Sequence, residues 1–338
     1  MKRIFALAVL LVSQVFAADT LHIYTWADYI NPDLVKRFEK ENGCKVVIDT
    51  FDSNESMYAK LKAGAKGYDV VFPTSYMVKV MNEQGMLLAL DHGKLSNAKN
   101  VDAGVLTKVY DKKMEHSAPY TLGYAVIAYR TDKVKNVNAT WSSFERTDIP
   151  KRMTLLNDMR ETLGAALKSL GYSLNSRDEK ELAAARDVVL KWKKNIAKFD
   201  NEGYKSGLDS GEFLLVHGYS GDLWQVAQEN KNIAIVFPKE GVTIGCDEMV
   251  IPKSAPNPTL AHALINYLLD GKVSAENMEF MGYLCPNTAG LKLVDKKFLQ
   301  NPAVTIPADV KEKSEVIEDL GTDLPKYTKG WDEVKAGK

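Results

Sequence analysis

Histidine, cysteine and charge of either sign in excess are all scarce in this chain, and each scarcity removes a class of function. The five histidines, His22, His92, His116, His217 and His262, are scattered, with no H-E-x-x-H or Cys/His spacing to hold a metal. No cofactor is expected. Basic and acidic residues balance at 44 each, so the charge invites no nucleic acid. Three cysteines allow one disulfide and one free thiol, and spacing alone does not decide connectivity. Cys44, at the entrance to an apolar strand, reads as a buried thiol; Cys246 with Cys285 is the expected pair. The chain has no internal repeat, no low-complexity tract and no Pro/Gly/Ser linker between its halves.

Long apolar runs are also missing, except at the start. MKRIFALAVLLVSQVFA places Lys2 and Arg3 before an apolar stretch, with Val15 and Ala17 at a small-residue cleavage pattern. Residues 1–17 therefore read as a secretory signal peptide, with a mature chain from Ala18. No later stretch approaches a membrane span and no cysteine follows the cleavage point to carry a lipid, so export to a bacterial periplasm without a lipid anchor is expected. Removing Lys2 and Arg3 leaves 42 basic against 44 acidic residues, a net of −2. At 338 residues and 45% hydrophobic content the chain is long enough for two lobes.

Alternating strand and helix signals fill the first third. LHIYTW, KVVIDTF and YDVVFP read as strands. Between them, Asn31 caps a helix with Pro32 in its first turn and Gly43 at its end, Asn54 precedes SMYAKLKAG, and YMVKVMNEQG follows. This βαβα order predicts an α/β fold whose lobes are each a mainly parallel sheet flanked by helices. Further on, PYTLGYAVIAYR, RMTLLND, EFLLVHGYSGD, NIAIVFP and GCDEMVIP read as strands, and TLAHALINYLLDG and AENMEFMG as helices. In the long helix predicted over EKELAAARDVVLKWKKNIAKF, Leu182, Ala185, Val189, Trp192, Ile196 and Phe199 form one buried stripe. The lysines around Trp192 read as a solvated face.

Polar and aromatic residues gather just past the apolar strands, where open α/β sheets bind ligands. The stretches are TWADY after the first strand, PTSY, NDMRE, GYSGD and GCDE. In NDMRE, Asp158 and Glu161 resemble a capping box; a carboxylate there is held ionised by backbone N–H groups and the helix dipole, a dependable partner for a cation. GYSGD lacks the glycine two residues after Ser220 that a nucleophile elbow needs, so it reads as a tight turn presenting Tyr219 and Asp222. Asp158, Glu161, Asp222 and Asp247 come from three separate strand ends with no sign of which would be a raised-pKa acid. A hydrolase using paired carboxylates is thus the alternative, and a receptor for an organic cation the leading reading: carboxylates take charge-assisted bonds from ammonium groups, and aromatic faces lie against methylenes.

YTWADYI, FDSNESMYAKLKAG, YDVVFPTSY, NDMRE, GYSGDLWQ, FPKEG, MGYLCPN and WDEVKAGK together resemble the spermidine/putrescine-binding periplasmic proteins of ABC importers over essentially the whole mature chain. The resemblance implies a two-lobed periplasmic-binding-protein fold of type II, with crossovers near Tyr124 to Tyr129 and Gly245 to Asp247, and a ligand cleft between the lobes. Lobe 1 is expected over residues 18–125 plus 247–290, and lobe 2 over 126–246 plus 291–338. It further implies a polyamine ligand, putrescine or spermidine, delivered to inner-membrane permease subunits by a monomer that is not an enzyme.

Residue by residue, Trp26 and Tyr29 match the family's first-loop aromatics, and Thr74, Ser75 and Tyr76 its second loop. Glu161 matches the ammonium-binding glutamate, with Asp158 as the acid of spermidine-type members. Tyr219 stands where an aromatic lines the cleft; Asp222 matches the extra acid of the putrescine-type branch, Asp247 the acid of both, and Tyr283 a cleft tyrosine. Asp28 joins the set, with capping of its turn as its other reading. Ala27, Gly245 and Ile317 depart from the pattern, replacing a hydroxyl residue, a bulky aromatic and a glutamine. A different cationic ligand therefore stays open.

Overall fold

The first helix, Pro32–Asn42, shows how closely local sequence dictates structure here. The Asn31 side chain accepts from the Asp33 N–H, Pro32 sits in the first turn, and Gly43 closes the helix in the left-handed region at φ 62°. The computed structural model describes residues 19–301 and 303–337, so the expected signal segment lies outside the described residues. Among the described residues no helix is long and apolar enough to cross a membrane.

Among the described residues ten strands form the frame: β1 Thr20–Thr25, β2 Lys45–Thr50, β3 Val70–Val71, β4 Ser117–Arg130, β5 Met153–Leu155, β6 Lys198–Phe199, β7 Leu215–Tyr219, β8 Ile233–Val236, β9 Thr243–Val250 and β10 Glu315–Val316. Their order is β2-β1-β3-β9-β4-β7-β5-β6, with β10 beside β9 and β8 beside β4. The α/β class holds, with one correction. Parallel pairing is confined to β2-β1-β3, β7-β5-β6 and β10-β9, whereas β4 runs antiparallel to β9, β7 and β8, and β9 antiparallel to β3 as well. These long strands return the chain directly between lobes, without the helical crossover that parallel neighbours need.

β4 is the hinge of the architecture. Ser117 to Tyr124 pair with β9, and Ala125 to Arg130 pair with β7 and β8. Two cores follow. One is drawn from residues 21–120 and 249–304, the other from 124–242 and 306–334. Residues 291–304, expected with the second lobe, pack on the first instead: Val294, Phe298 and Val304 join its core, and the Asp295 N–H donates to Glu279 at 2.8 Å. The helix expected through Phe199 stops at Lys193, because the Ala197 N–H donates to Met153 (2.7 Å) and draws the chain into β6. Leu182, Ala185, Val189 and Trp192 form its buried stripe as predicted.

The expected Cys246–Cys285 disulfide is absent, and all three cysteines are buried thiols. Leu122 of β4 pairs with Cys246 on one side and bridges to Leu284 on the other. Two strand spacings, about 10 Å in all, exceed the roughly 7 Å that a disulfide spans between Cα atoms.

Candidate functional site

Where the two lobes meet, the ends of β1 and β7 and the middle of β4 and β9 enclose a cleft of about 390 Å³; GCDE, expected just past a strand, lies within β9. The loop after β1 supplies the first wall. The Trp26 indole donates to the Phe72 carbonyl at 2.9 Å and its ring leans on Phe51, 4.4 Å between centroids. Asp28 takes the left-handed conformation, φ 54°, a region costly for a residue with a Cβ but tolerated by aspartate. Tyr29 is buried; its carbonyl accepts from the Tyr120 hydroxyl (2.7 Å), and its own hydroxyl lies between Thr121 and the Asp247 carboxylate.

Asp247 sits on β9, where successive side chains face opposite ways. It enters the cleft, and Glu248 turns behind it to accept from the Ser117 hydroxyl at 2.5 Å. Thr74 donates to Asp247 at 2.6 Å, while Asn54 holds Thr74 by its side-chain amide (2.9 Å) and by accepting its N–H (3.0 Å). Burial raises the Asp247 carboxyl to about 6, against the pull of Thr74 and Tyr29.

The NDMRE stretch forms half of a capping box. Asp158 caps the helix Met159–Ser169, accepting from the N–H of Arg160 (2.8 Å) and of Glu161 (3.0 Å). Glu161 does not fold back to complete it. Its Oε2 is buried without a hydrogen-bond partner, and burial, followed by the neighbouring Asp158 charge, raises its carboxyl to about 8. The helix dipole was expected to hold this carboxylate ionised; loss of water outweighs it. Burial raises Asp158 as well, with the backbone donors opposing. From the other lobe Glu55 faces Asp158: burial first and then Asp158 raise it to about 7, and it accepts from the Tyr76 hydroxyl at 3.1 Å.

GYSGD is the end of β7 and the start of the helix Ser220–Glu229, not the tight turn expected. Its glycines admit rings: a Cβ on Gly218 would overlap Tyr204, and one on Gly221 would overlap Tyr283. The two phenols thereby reach Asp222, Tyr204 donating at 2.7 Å and Tyr283 at 3.2 Å. Burial raises the Asp222 carboxyl, and Lys205 opposes it. Ser220 is buried, its hydroxyl accepting from the Tyr124 N–H at 3.3 Å.

The cleft brings together Trp26, Asp28, Tyr29, Thr74, Tyr76, Asp158, Glu161, Tyr219, Asp222, Asp247 and Tyr283. Ser75 is the exception among the expected residues. It opens the helix Ser75–Glu83, and its buried hydroxyl turns away to accept from the Tyr110 N–H at 2.9 Å. Ala27, Gly245 and Ile317 also line the cleft, and a Cβ on Gly245 would meet only the Gly123 carbonyl at 3.9 Å, so that wall is open. Sequence reading passed over Asn54, Glu55, Tyr204 and Lys205. Asn54 and Glu55 lie in FDSNESMYAKLKAG, which reads as a helix start and as part of the resemblance without marking either residue for the cleft, and Tyr204 and Lys205 lie outside the stretches singled out.

Contacts across the cleft draw the lobes together. Lys205 pairs with Asp28 at 2.9 Å, Lys79 with Asp319 at 2.5 Å, and the Asn201 amide donates to the Asp52 carbonyl at 3.1 Å.

Two α/β lobes that share long strands and close on a carboxylate-rich, aromatic-walled cleft define a two-lobed ligand-binding protein. The chain belongs to the bacterial extracellular solute-binding proteins, whose family model matches residues 33–306. It is 35% identical over 326 residues to spermidine/putrescine-binding periplasmic protein 1 of Haemophilus influenzae, covering 95% of this chain and 90% of that one. It is 34% identical over 351 residues to the putrescine/cadaverine-binding protein of Pseudomonas aeruginosa, covering 99% of each. Among solved structures, a putative spermidine/putrescine ABC transporter protein from Listeria monocytogenes superimposes with a TM-score of 0.88 at 34% identity, over 95% of this chain and 100% of that one.

Proposed function

We propose that this protein is a periplasmic receptor that captures a polyamine, putrescine or spermidine, and delivers it to an ABC permease without chemical change. The observation that carries the reading is Glu161: a buried carboxylate with a free oxygen, beside Asp158 and facing Glu55, is only partly offset by the Arg160 charge and so asks for a further cation. Asp247, held by Thr74 and Tyr29, offers a second anionic point, and Trp26, Tyr76, Tyr219 and Tyr283 present rings to the methylenes between. The relatives named for polyamines support the same ligand class. Trp26, Tyr29, Thr74, Tyr76, Asp158, Glu161, Tyr219, Asp247 and Tyr283 are its proposed contacts, with Asp28 and Asp222 lining an end of the cleft that Lys205 also reaches, and the two lobes close over the ligand as a hinge.

Thermal denaturation with putrescine, cadaverine, spermidine, a neutral sugar and a neutral amino acid tests the reading. Polyamines raise Tm by mass action and the neutral solutes leave it unchanged. No shift with any polyamine overturns it. Recovery of the bound amine intact by mass spectrometry distinguishes capture from hydrolysis.

A further inference from the structure

The acidic ends of this cleft are not alike. At one end Glu161 keeps a buried oxygen with no partner. At the other, both Asp222 oxygens already accept from phenols, Tyr204 on Oδ2 at 2.7 Å and Tyr283 on Oδ1 at 3.2 Å. A cation is there too: the Lys205 ammonium lies 2.9 Å from Asp28 and 3.9 Å from Asp222. Lys205 comes from the helix Gly203–Ser210, lines the cleft and is about 20% exposed. Asp28 reaches it from the opposite lobe, through a loop bent into the left-handed region. Burial works against the Lys205 charge, but the groups facing the ammonium, Asp222, Asp28 and Glu202, are all acidic and together raise its pKa.

We infer that Lys205 determines specificity by acting as a tethered ammonium: it fills the Asp28–Asp222 end of the cleft, leaving the Glu161 end for the ligand's cation. The inference rests on the reading of the cleft as a polyamine site. A ligand with a second ammonium at the lysine end must share two carboxylates with Lys205 or push it into solvent, breaking the interlobe pair. A ligand whose far end is neutral meets no such competitor. The lysine therefore narrows the advantage of a diamine over a one-ended amine, because like charges a few ångströms apart in a water-poor cleft repel strongly.

Calorimetric titration of the whole protein with putrescine, spermidine and N-acetylputrescine, in the wild type and in Lys205→Met and Lys205→Arg, tests this. Lys205→Met should raise the putrescine to N-acetylputrescine affinity ratio by about tenfold or more, since the freed carboxylates gain a charge-assisted partner from the ligand. Lys205→Arg keeps the cation and should keep the wild-type ratio. If Lys205 serves only to join the lobes, Lys205→Met weakens every ligand equally, the ratio stays fixed, and the inference is overturned. A ratio that falls overturns it as well, since the lysine would then be helping to hold the diamine. Wild-type protein that binds none of the amines overturns the polyamine reading itself, an outcome distinct from amine binding with an unchanged ratio.

Discussion

Raising the pH from 6 to 8 should tighten polyamine binding, and Glu161 sets the size of the effect. Burial and the adjacent Asp158 hold its carboxyl at about 8 in the empty cleft. An ammonium seated against the free Oε2 replaces the lost solvation and returns the group to the ordinary carboxylate range, so ligand binding expels a proton. Below pH 8 that proton must be released, and the dissociation constant falls about tenfold per pH unit until pH passes the Glu161 value. From pH 6 to pH 8 the affinity gain is about fifty-fold, or about 2.3 kcal/mol. Glu55, raised to about 7 where its carboxyl turns into the cleft, acts in the same direction, but the rest of its side chain reaches solvent at the cleft edge and water screens its share. The gain levels off above about pH 8, and binding weakens again near pH 10, roughly where an alkylammonium loses its own proton. Calorimetry in two buffers of different ionisation enthalpy measures the proton count directly. Near pH 7 the wild type should release about one proton per ligand, and Glu161→Gln should lose most of that release together with the pH slope. A wild-type dissociation constant flat from pH 6 to 8, with no proton released, refutes the assignment. The ligand-free protein should show the converse: its Tm declines as pH rises from 6 to 8, because the folded state still holds a proton that an unfolded carboxyl, near about 4.3, has already lost.

Asp247→Ala leaves the Thr74 and Tyr29 donors facing each other and a ligand ammonium without its carboxylate. Putrescine affinity should fall by about 2–3 kcal/mol, roughly 30- to 150-fold, in calorimetric titration; an unchanged constant removes Asp247 from the site. Gly221→Ala places a methyl inside the Tyr283 ring, so the phenol must leave Asp222. Polyamine binding should weaken while far-UV circular dichroism stays native, and full affinity would show that Tyr283 does not matter. His217 is buried against Trp141, 4.9 Å between ring centroids, with neither ring nitrogen hydrogen-bonded and burial lowering its pKa to about 3. His217→Phe should raise stability in urea titration by about 1–3 kcal/mol at pH 7. The advantage should widen as pH falls from about 6.5 toward 3, where only the unfolded histidine gains a proton. A loss of stability at both pH 7 and pH 5 refutes this account of the histidine.

Sequence determined whatever short-range physics decides. Asn31, Pro32 and Gly43 mark a helix because capping and left-handed geometry involve neighbouring residues only. Asp158 was legible as a cap for the same reason. Alternating apolar strands and helices gave the α/β class, and aromatics beside acids at strand ends gave most of the cleft wall, with the family resemblance implying their ligand. Ser75 failed because two adjacent residues at a helix start diverge, Thr74 into the cleft and Ser75 beneath it, and only packing against Tyr110 shows which goes where.

Tertiary structure alone decided what depends on partners far along the chain. The cysteines could not be paired from spacing, because β4 lies between them only once the sheet is assembled. Glu161 looked like a capping acid held ionised by a helix, and became a proton-holding acid because both lobes close over it and exclude water. Lys205 is 177 residues from Asp28, so no local pattern announces their pairing. Propensity and pattern act over a few residues and so are written in the sequence; desolvation and charge pairing in the cleft arise only when distant strands bring two lobes together.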